Sequence, residues 1–436
     1  RGTAKDSFAF TTISTRLPVI LTQAVDSLTR TAHAAAMNPA PDADAAAEAE
    51  KASEANECIS AMSKLKYELQ RDREFESIAG DEEGDEEAWR AAMDSLGDVA
   101  EGGKTWFSAP WLFAECFMYR KIRQILSKTK HWAEFDPFAE HQKQASFHGS
   151  AQSIIQLAQN LEDLVQVVDT LNAEQKRTAL DDFIQFSLWG NQADLSLFVN
   201  VQHSEMHKSQ ISSPVSLVAS SKNIIVNNIA DLLDTVDNCK GGRIDIVLDN
   251  AGFELFADLA LADWLTTTKS CANLHLHVKR IPWFVSDTTA RDFTWTLDAC
   301  AALGSEPLSA CVARWRRWIA DGTWVVREEA FWTTPYSFWQ MSEVAPGLWA
   351  DLGTSRLVIF KGDLNYRKMV YDAEWPTITP FRRAIGPLAN ARPFALALLR
   401  TCKSEVVVGI VPGHASELST WHVDWMTNGK FGVVHL

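Results

Sequence analysis

Oxygen-bearing side chains stand where an apolar core predicts none. In RIDIVLDNAGFE (243–254) the aliphatic run reads as a buried strand, yet it ends in Asp249-Asn250. Asp287 closes HVKRIPWFVSD in the same way, and RLVIFK runs directly into Gly362-Asp363-Leu364-Asn365-Tyr366-Arg367. Hard oxygen donors such as Asp249, Asn250 and Asp287 suit Mg, Mn or a similar divalent cation. Capping of a following helix accounts for one such residue. It does not account for an Asp-Asn pair plus a second strand-end Asp.

The same segments offer an anion site. Gly252 permits close backbone approach, and a helix beginning at Phe253-Glu254 turns its amide end toward the crevice. Arg367 and Lys368, with Arg400 and Lys403 of RTCK, are the cations that would neutralise a phosphate, Arg as a fork and Lys as a point charge. Singly, each reads as a surface charge; their convergence gives them weight.

These residues need a scaffold that brings strand ends together. From about residue 214, short β-branched runs (IDIVLD, NLHLHVKRI, RLVIFKG, EVVVGIV, FGVVHL) alternate with helical stretches such as FELFADLALADWLTT and DFTWTLDACAAL. That alternation predicts an α/β fold, a parallel sheet covered by helices, with ligands at the carboxyl ends of its strands. Residues 1–213 read as a mainly α-helical N-terminal domain and 214–436 as the α/β domain carrying the site. Within the first, RLPVILTQAVDSLTRTAHAAAM is a helix with Pro18 in its first turn, 40–57 is a loop or polar helix, and the acidic block 80–87 is a solvated loop or helix start.

Other motifs fail on spacing. EGGKTW (101–106) lacks the first glycine of a P-loop, HSEMH (203–207) has its Glu misplaced for a zinc protease, and no GxGxxG or GxSxG follows a strand. His275 and His277 read as packed or hydrogen-bonded core histidines. The net charge of −15 argues against nucleic acid, and no apolar run approaches the roughly 20 residues that span a bilayer, so neither nucleic acid nor membrane is an expected partner. Seven scattered cysteines without a CxxC pair predict reduced thiols in a cytoplasmic protein. The opening RGTAKDSFAF has no apolar signal core and no initiator Met, and reads as an incomplete start rather than a targeting segment.

LDNAGFELFADLALADWL, KRIPWFVSD, FKGDLNYRK, RTCK and SLWGNQADLS together resemble the DUF89 family of metal-dependent damage-control phosphatases, in its sugar-phosphate (RTxK) branch. SFAFTTISTRLPVILTQAVDSL and PWLFAECFMYRKI extend the likeness over nearly the whole chain. The resemblance implies a helical N-terminal part joined to a Rossmann-like, mainly parallel sheet. It implies a divalent metal (Mn, Co, Ni or Mg) held by Asp249, Asn250 and Asp287. Glu254, Asp363, Leu364, Asn365, Tyr366, Arg367 and Lys403 would then contact a small phosphorylated metabolite. Departures are Gln192-Ala193, where relatives usually carry a different pair, and the acidic and Ala-rich segments at 40–57 and 80–87.

The expected reaction is hydrolysis of small phosphomonoesters, sugar phosphates such as fructose 1-phosphate or fructose 6-phosphate. Asp249 serves as nucleophile or orients a water for in-line attack. Glu115 and Arg120, five apart on one helix, either reach the substrate crevice or lock the two domains together. Two rivals stand beside this reading. One is an S-adenosylmethionine-dependent protein carboxyl methyltransferase, an activity attached to this branch by name; the other is a non-catalytic sugar-phosphate sensor. The sequence leaves the oligomeric state open.

Overall fold

The structure, a computed structural model, describes residues 1–38, 44–97, 103–190 and 221–436. HSEMH, Gln192-Ala193 and the expected boundary at 213/214 lie outside the described residues. The chain divides into two compact units. One comprises Arg1–Gln142, Arg280–Ser286 and Ala330–Tyr336, the other Lys143–Lys279, Asp287–Glu329 and Ser337–Leu436.

The first unit is helical, built on α1 (Leu17–Met37), α2 (Ala45–Gln70), α3 (Glu86–Asp94) and α4 (Trp111–Ser127). Segment 45–57 is therefore helix, started by Asp44, whose carboxylate accepts from the Ala46 amide. An aromatic cluster of Phe75, Trp89, Trp106, Phe113 and Phe117 fills its interior. The acidic block contains the expected helix start, Glu86 of α3, but is not a simply solvated run. Asp81 and Asp85 grip the fully buried Arg120 guanidinium at 2.6–3.1 Å, and Glu83 pairs with Arg123. Taking Arg120 out of water requires charged partners on its donors, and this block supplies them.

The second unit holds one seven-stranded sheet: β1 (Ile224–Asn227), β2 (Arg243–Val247), β3 (Asn273–Val278), β4 (Trp324–Glu328), β5 (Ser355–Lys361), β6 (Ala395–Thr401) and β7 (Gly432–His435). The order is β1-β7-β6-β5-β2-β3-β4. Strands β2 to β6 are parallel, whereas β7 is antiparallel to β6 and parallel to β1. Helices α5 (Ala151–Gln166), α6 (Ala173–Trp189), α7 (Ile229–Asp237), α8 (Phe253–Thr267), α9 (Ala290–Ala302) and α10 (Glu306–Ala320) share one apolar core with the sheet. Two later helices, α11 (Gly362–Met369) and α12 (His414–Trp421), follow β5 and β6. This is the Rossmann-like, mainly parallel arrangement.

EVVVGIV was expected as a strand, but 405–411 is irregular and β6 is instead ALALLRT just before it. Val406, Val407 and Val408 are buried while Val411 is exposed, and the backbone of the run is spoken for: the Val408 amide donates to the Tyr366 hydroxyl and the Gly409 amide to the Thr379 carbonyl. Burial without a ladder partner produces an apolar loop. Among the described residues no helix is long and apolar enough to cross a membrane.

Candidate functional site

Strand order places the reversal of connection at β2. The chain steps from β2 to β3 and β4 on one side, then returns to place β5 and β6 on the other. In open α/β sheets the crevice at such a reversal, outside the carboxyl ends of the strands, is where ligands sit. Asp249 and Asn250 leave β2 there, and Gly362 and Asp363 leave β5.

Two glycines make this packing possible. At Gly362 (φ +86°) a Cβ would lie 1.9 Å from Asp249 Oδ2, so the β5–α11 junction presses directly on the carboxylate. Gly252 (φ +77°) turns the chain from Asn250 into α8, and a Cβ there would meet Ser146 Oγ at 2.7 Å. Asp287 is held beside Asn250 by an isolated antiparallel bridge, and the Thr288 amide donates to the Asp249 carbonyl at 2.7 Å. The chain reaches Asp287 through two consecutive left-handed residues, Phe284 (φ 43°) and Val285 (φ 70°). A β-branched residue there is strained, and such strain concentrates at functional sites.

Asp249, Asn250, Glu254 and Asp287 are all buried. The Asn250 amide nitrogen donates to Asp249 Oδ2 at 2.7 Å and to Glu254 Oε2 at 2.9 Å. Lys279 Nζ lies 3.1 Å from Asp287 Oδ2 and donates to the Leu248 carbonyl at 2.8 Å. Asp249 itself has no ion pair among the described residues. Burial pushes its carboxyl well above the ordinary range, and the charges of Glu254 and Asp287 push the same way against Lys279 and Lys403. Asp287 is raised too, by burial and Glu254, against Lys279 and Lys143. Three buried carboxyls and a carboxamide thus form a set of hard oxygen donors that a divalent cation would relieve of mutual repulsion. These residues fit a metal.

A second group, Asp245, His275 and Asp351, also brings possible ligand atoms within 4.8 Å of one another. Here the acids are already satisfied. Arg243 Nε donates to Asp245 at 2.9 Å, its terminal nitrogens reach Asp351 at 3.0 and 3.3 Å, and His277 and Ser355 also bind Asp245. Burial raises the Asp245 carboxyl, but His277, Ser355 and Arg243 outweigh it and hold it below its ordinary value. A cation entering there would have to displace a guanidinium.

The basic residues separate by what they touch. Arg400 is fully buried, stacked 4.1 Å from the Tyr366 ring centre, and bonded to Asp363 Oδ1 (2.8 Å), Ser404 and the Val406 carbonyl. Arg367 pairs with Asp372 at 3.0 Å. Lys368 is buried. Lys403 is half-buried, its amide donates to Asp363 at 3.3 Å, and its charge bears on Asp249. Asp363 and Arg400 therefore shape the loop that presents Lys403. Asn365 donates to the Lys361 carbonyl (2.7 Å), Tyr366 accepts from Val408, and Leu364 is buried, so the side chains of this stretch brace α11. Glu115 and Arg120 lie on α4 in the other unit, both buried, with Arg120 committed to Asp81 and Asp85.

Sequence reasoning passed over Lys279, Lys361 and Asp258. Each carried the same signal that exposed Asp249: a charge set in an apolar strand end or an otherwise apolar helix. Lys361 ends β5, fully buried, with its ammonium 3.0 Å from Asp258 and 3.3 Å from Glu254.

The family model for the damage-control phosphatase ARMT1-like domain matches residues 12–418. This chain belongs to that family. Proteins named damage-control phosphatase ARMT1 are similar throughout: that of Danio rerio is 38% identical over 98% of this chain and 94% of its own length, and that of Homo sapiens 36% identical over 98% and 95%. A solved structure of a DUF89 family protein from Pyrococcus horikoshii is similar at TM-score 0.39 and 14% identity, over 75% of this chain and 82% of that one. Family membership makes the chain an enzyme of the phosphatase class.

Proposed function

We propose that the protein is a divalent-metal-dependent phosphatase of small phosphomonoesters, with sugar phosphates such as fructose 1-phosphate and fructose 6-phosphate as its substrates. The observation that carries this reading is the buried set Asp249, Asn250, Glu254 and Asp287 at the β2–β5 reversal, where Asp249 has no ion pair among the described residues. Asp249, Asn250 and Asp287 would hold the cation, which when bound supplies positive charge to neutralise phosphoryl oxygens as the ester breaks. Mn, Co, Ni and Mg all suit carboxylate and carboxamide oxygens to some degree.

The chain's own groups supply the rest. Lys403 offers the half-buried ammonium for the phosphoryl group. The amide end of α11, whose first residue touches the Asp249 carboxylate, favours negative charge at the same point. Glu254, anchored to Asn250, and the 363–367 stretch frame the sugar. Asp249 stands as the group that attacks phosphorus or aligns the attacking water; with heavy-oxygen water in a single turnover, label appearing in Asp249 selects the first route and label confined to phosphate the second.

The test is phosphate release from a panel of sugar phosphates and 4-nitrophenyl phosphate, in EDTA and then with each metal, for wild type and Asp249→Ala. Metal-dependent release lost in the variant is expected. Folded wild-type protein that releases no phosphate with any metal would sink the proposal and favour methyl transfer or ligand sensing.

A further inference from the structure

Lys361 is a buried cation beside the site that touches Glu254 directly, and its surroundings define its task. It is the last residue of β5, 1% exposed, immediately before the glycine that presses on Asp249. Its three donors meet three oxygens: the Ser187 carbonyl, Asp258 Oδ1 at 3.0 Å and Glu254 Oε1 at 3.3 Å. An ammonium has three N–H groups, so none remains for a substrate.

The contacts continue from Lys361 to Asp249. Glu254 gives Oε1 to Lys361 and Oε2 to the Asn250 amide nitrogen, which also donates to Asp249 Oδ2. An ionised carboxylate only accepts. Two carboxylates on one side of Asn250 therefore draw its NH2 group toward themselves and turn its carboxamide oxygen away. Asp258, held by Ser187 Oγ at 2.6 Å, accepts from Lys361 on the other side.

We propose that Lys361 is a positioning residue for the metal: by pinning Glu254 it fixes the Asn250 amide with its oxygen presented as a ligand and its nitrogen withdrawn. This rests on the proposed metal site and adds a residue outside the set that would touch metal or substrate. Loss of the pin frees Glu254 to rotate and lets the amide turn over, which weakens the metal without altering the groups that meet phosphate.

The experiment is calorimetric titration of metal-stripped protein with Mn, beside thermal unfolding and steady-state kinetics at saturating Mn. Lys361→Met is expected to remain folded and bind Mn about 10–100-fold more weakly, the range for losing a group that orients a ligand. Its KM for phosphomonoester at saturating metal should stay near that of wild type. Asp258→Asn keeps the Lys361–Glu254 pair and should bind Mn nearly as wild type does. Should Lys361→Met alone fail to fold, Lys361→Met/Asp258→Asn removes the ammonium together with one of its counter-charges, and the same weakening is expected. Mn affinity equal to wild type in either Lys361 variant overturns the positioning role while leaving the metal site intact. Wild-type protein that binds no divalent metal overturns both.

Discussion

Asp245 and Asp249 stand four residues apart on one segment, both buried, yet they occupy opposite electrostatic surroundings. Asp245 is ringed by Arg243, His277 and Ser355, and its carboxyl is held below the ordinary range. Asp249 has no ion pair among the described residues, and burial with two neighbouring carboxyls drives it the other way. The contrast separates a structural acid from the one proposed to bind metal. The chain gives Asp245 its counter-ion; at Asp249, on the proposed reading, that place is left to a ligand.

The largest expected difference is in turnover. Asp249→Ala should reduce metal-dependent phosphate release by at least about a thousandfold, a loss of roughly 4 kcal/mol of transition-state stabilisation. Asp245→Asn, assayed below its unfolding temperature, should retain kcat within a few-fold. Comparable losses in both variants would erase the distinction.

Stability should reverse the ranking. Breaking a buried ion-pair network by removing one partner costs about 3–5 kcal/mol, so Asp245→Asn should show that loss in urea unfolding. Asp249→Asn in EDTA should instead match or exceed wild type, because it removes a buried charge that has no ion pair among the described residues. A cation then inverts this second result. At a hundredfold excess over its Kd, Mn should stabilise wild type and Asp245→Asn by about 2.7 kcal/mol and leave Asp249→Asn unmoved. Equal thermal shifts in all three would place the metal elsewhere, with the Asp245 group the next candidate.

How far the sequence revealed this depends on distance along the chain. Asp249-Asn250 and Asp287 were legible because polar residues interrupt apolar runs locally, and the parallel sheet because β-branched runs alternate with helical periods. The partners were not. Arg120 lies 35 to 39 residues from the acids that bury it, so the block at 80–87 read as solvated. Lys361 is 107 residues from Glu254, and the pair exists only because β5 lies beside β2. The 405–411 run misled for a related reason: Val406, Val407 and Val408 are buried, but ladder partners are a property of topology, which periodicity does not report.

Asp258 allows the smallest and most diagnostic test of the comparison. Burial is the main cause that raises its carboxyl from an ordinary 3.8 to about 6, with Glu254 adding to it and Lys361 and Ser187 opposing. The folded state therefore binds more protons than the unfolded state across that window. Where the unfolded state binds fewer, stability falls as pH rises. Metal-free wild type should lose stability from pH 4 to 6 through this group, by at most about 1.4 kcal/mol per pH unit, with the cost fully in place above. Asp245 contributes the opposite slope: its lowered carboxyl adds stability above its unfolded value that is lost as pH falls through the folded one. Asp258→Asn should flatten the first slope and spare the second, measured by urea unfolding in EDTA from pH 3 to 7. Parallel curves for wild type and Asp258→Asn would mean that Lys361 compensates Asp258 fully. Asp249 would then be left as the buried acid without an ion pair among the described residues, narrowing the comparison to a residue expected to touch the metal.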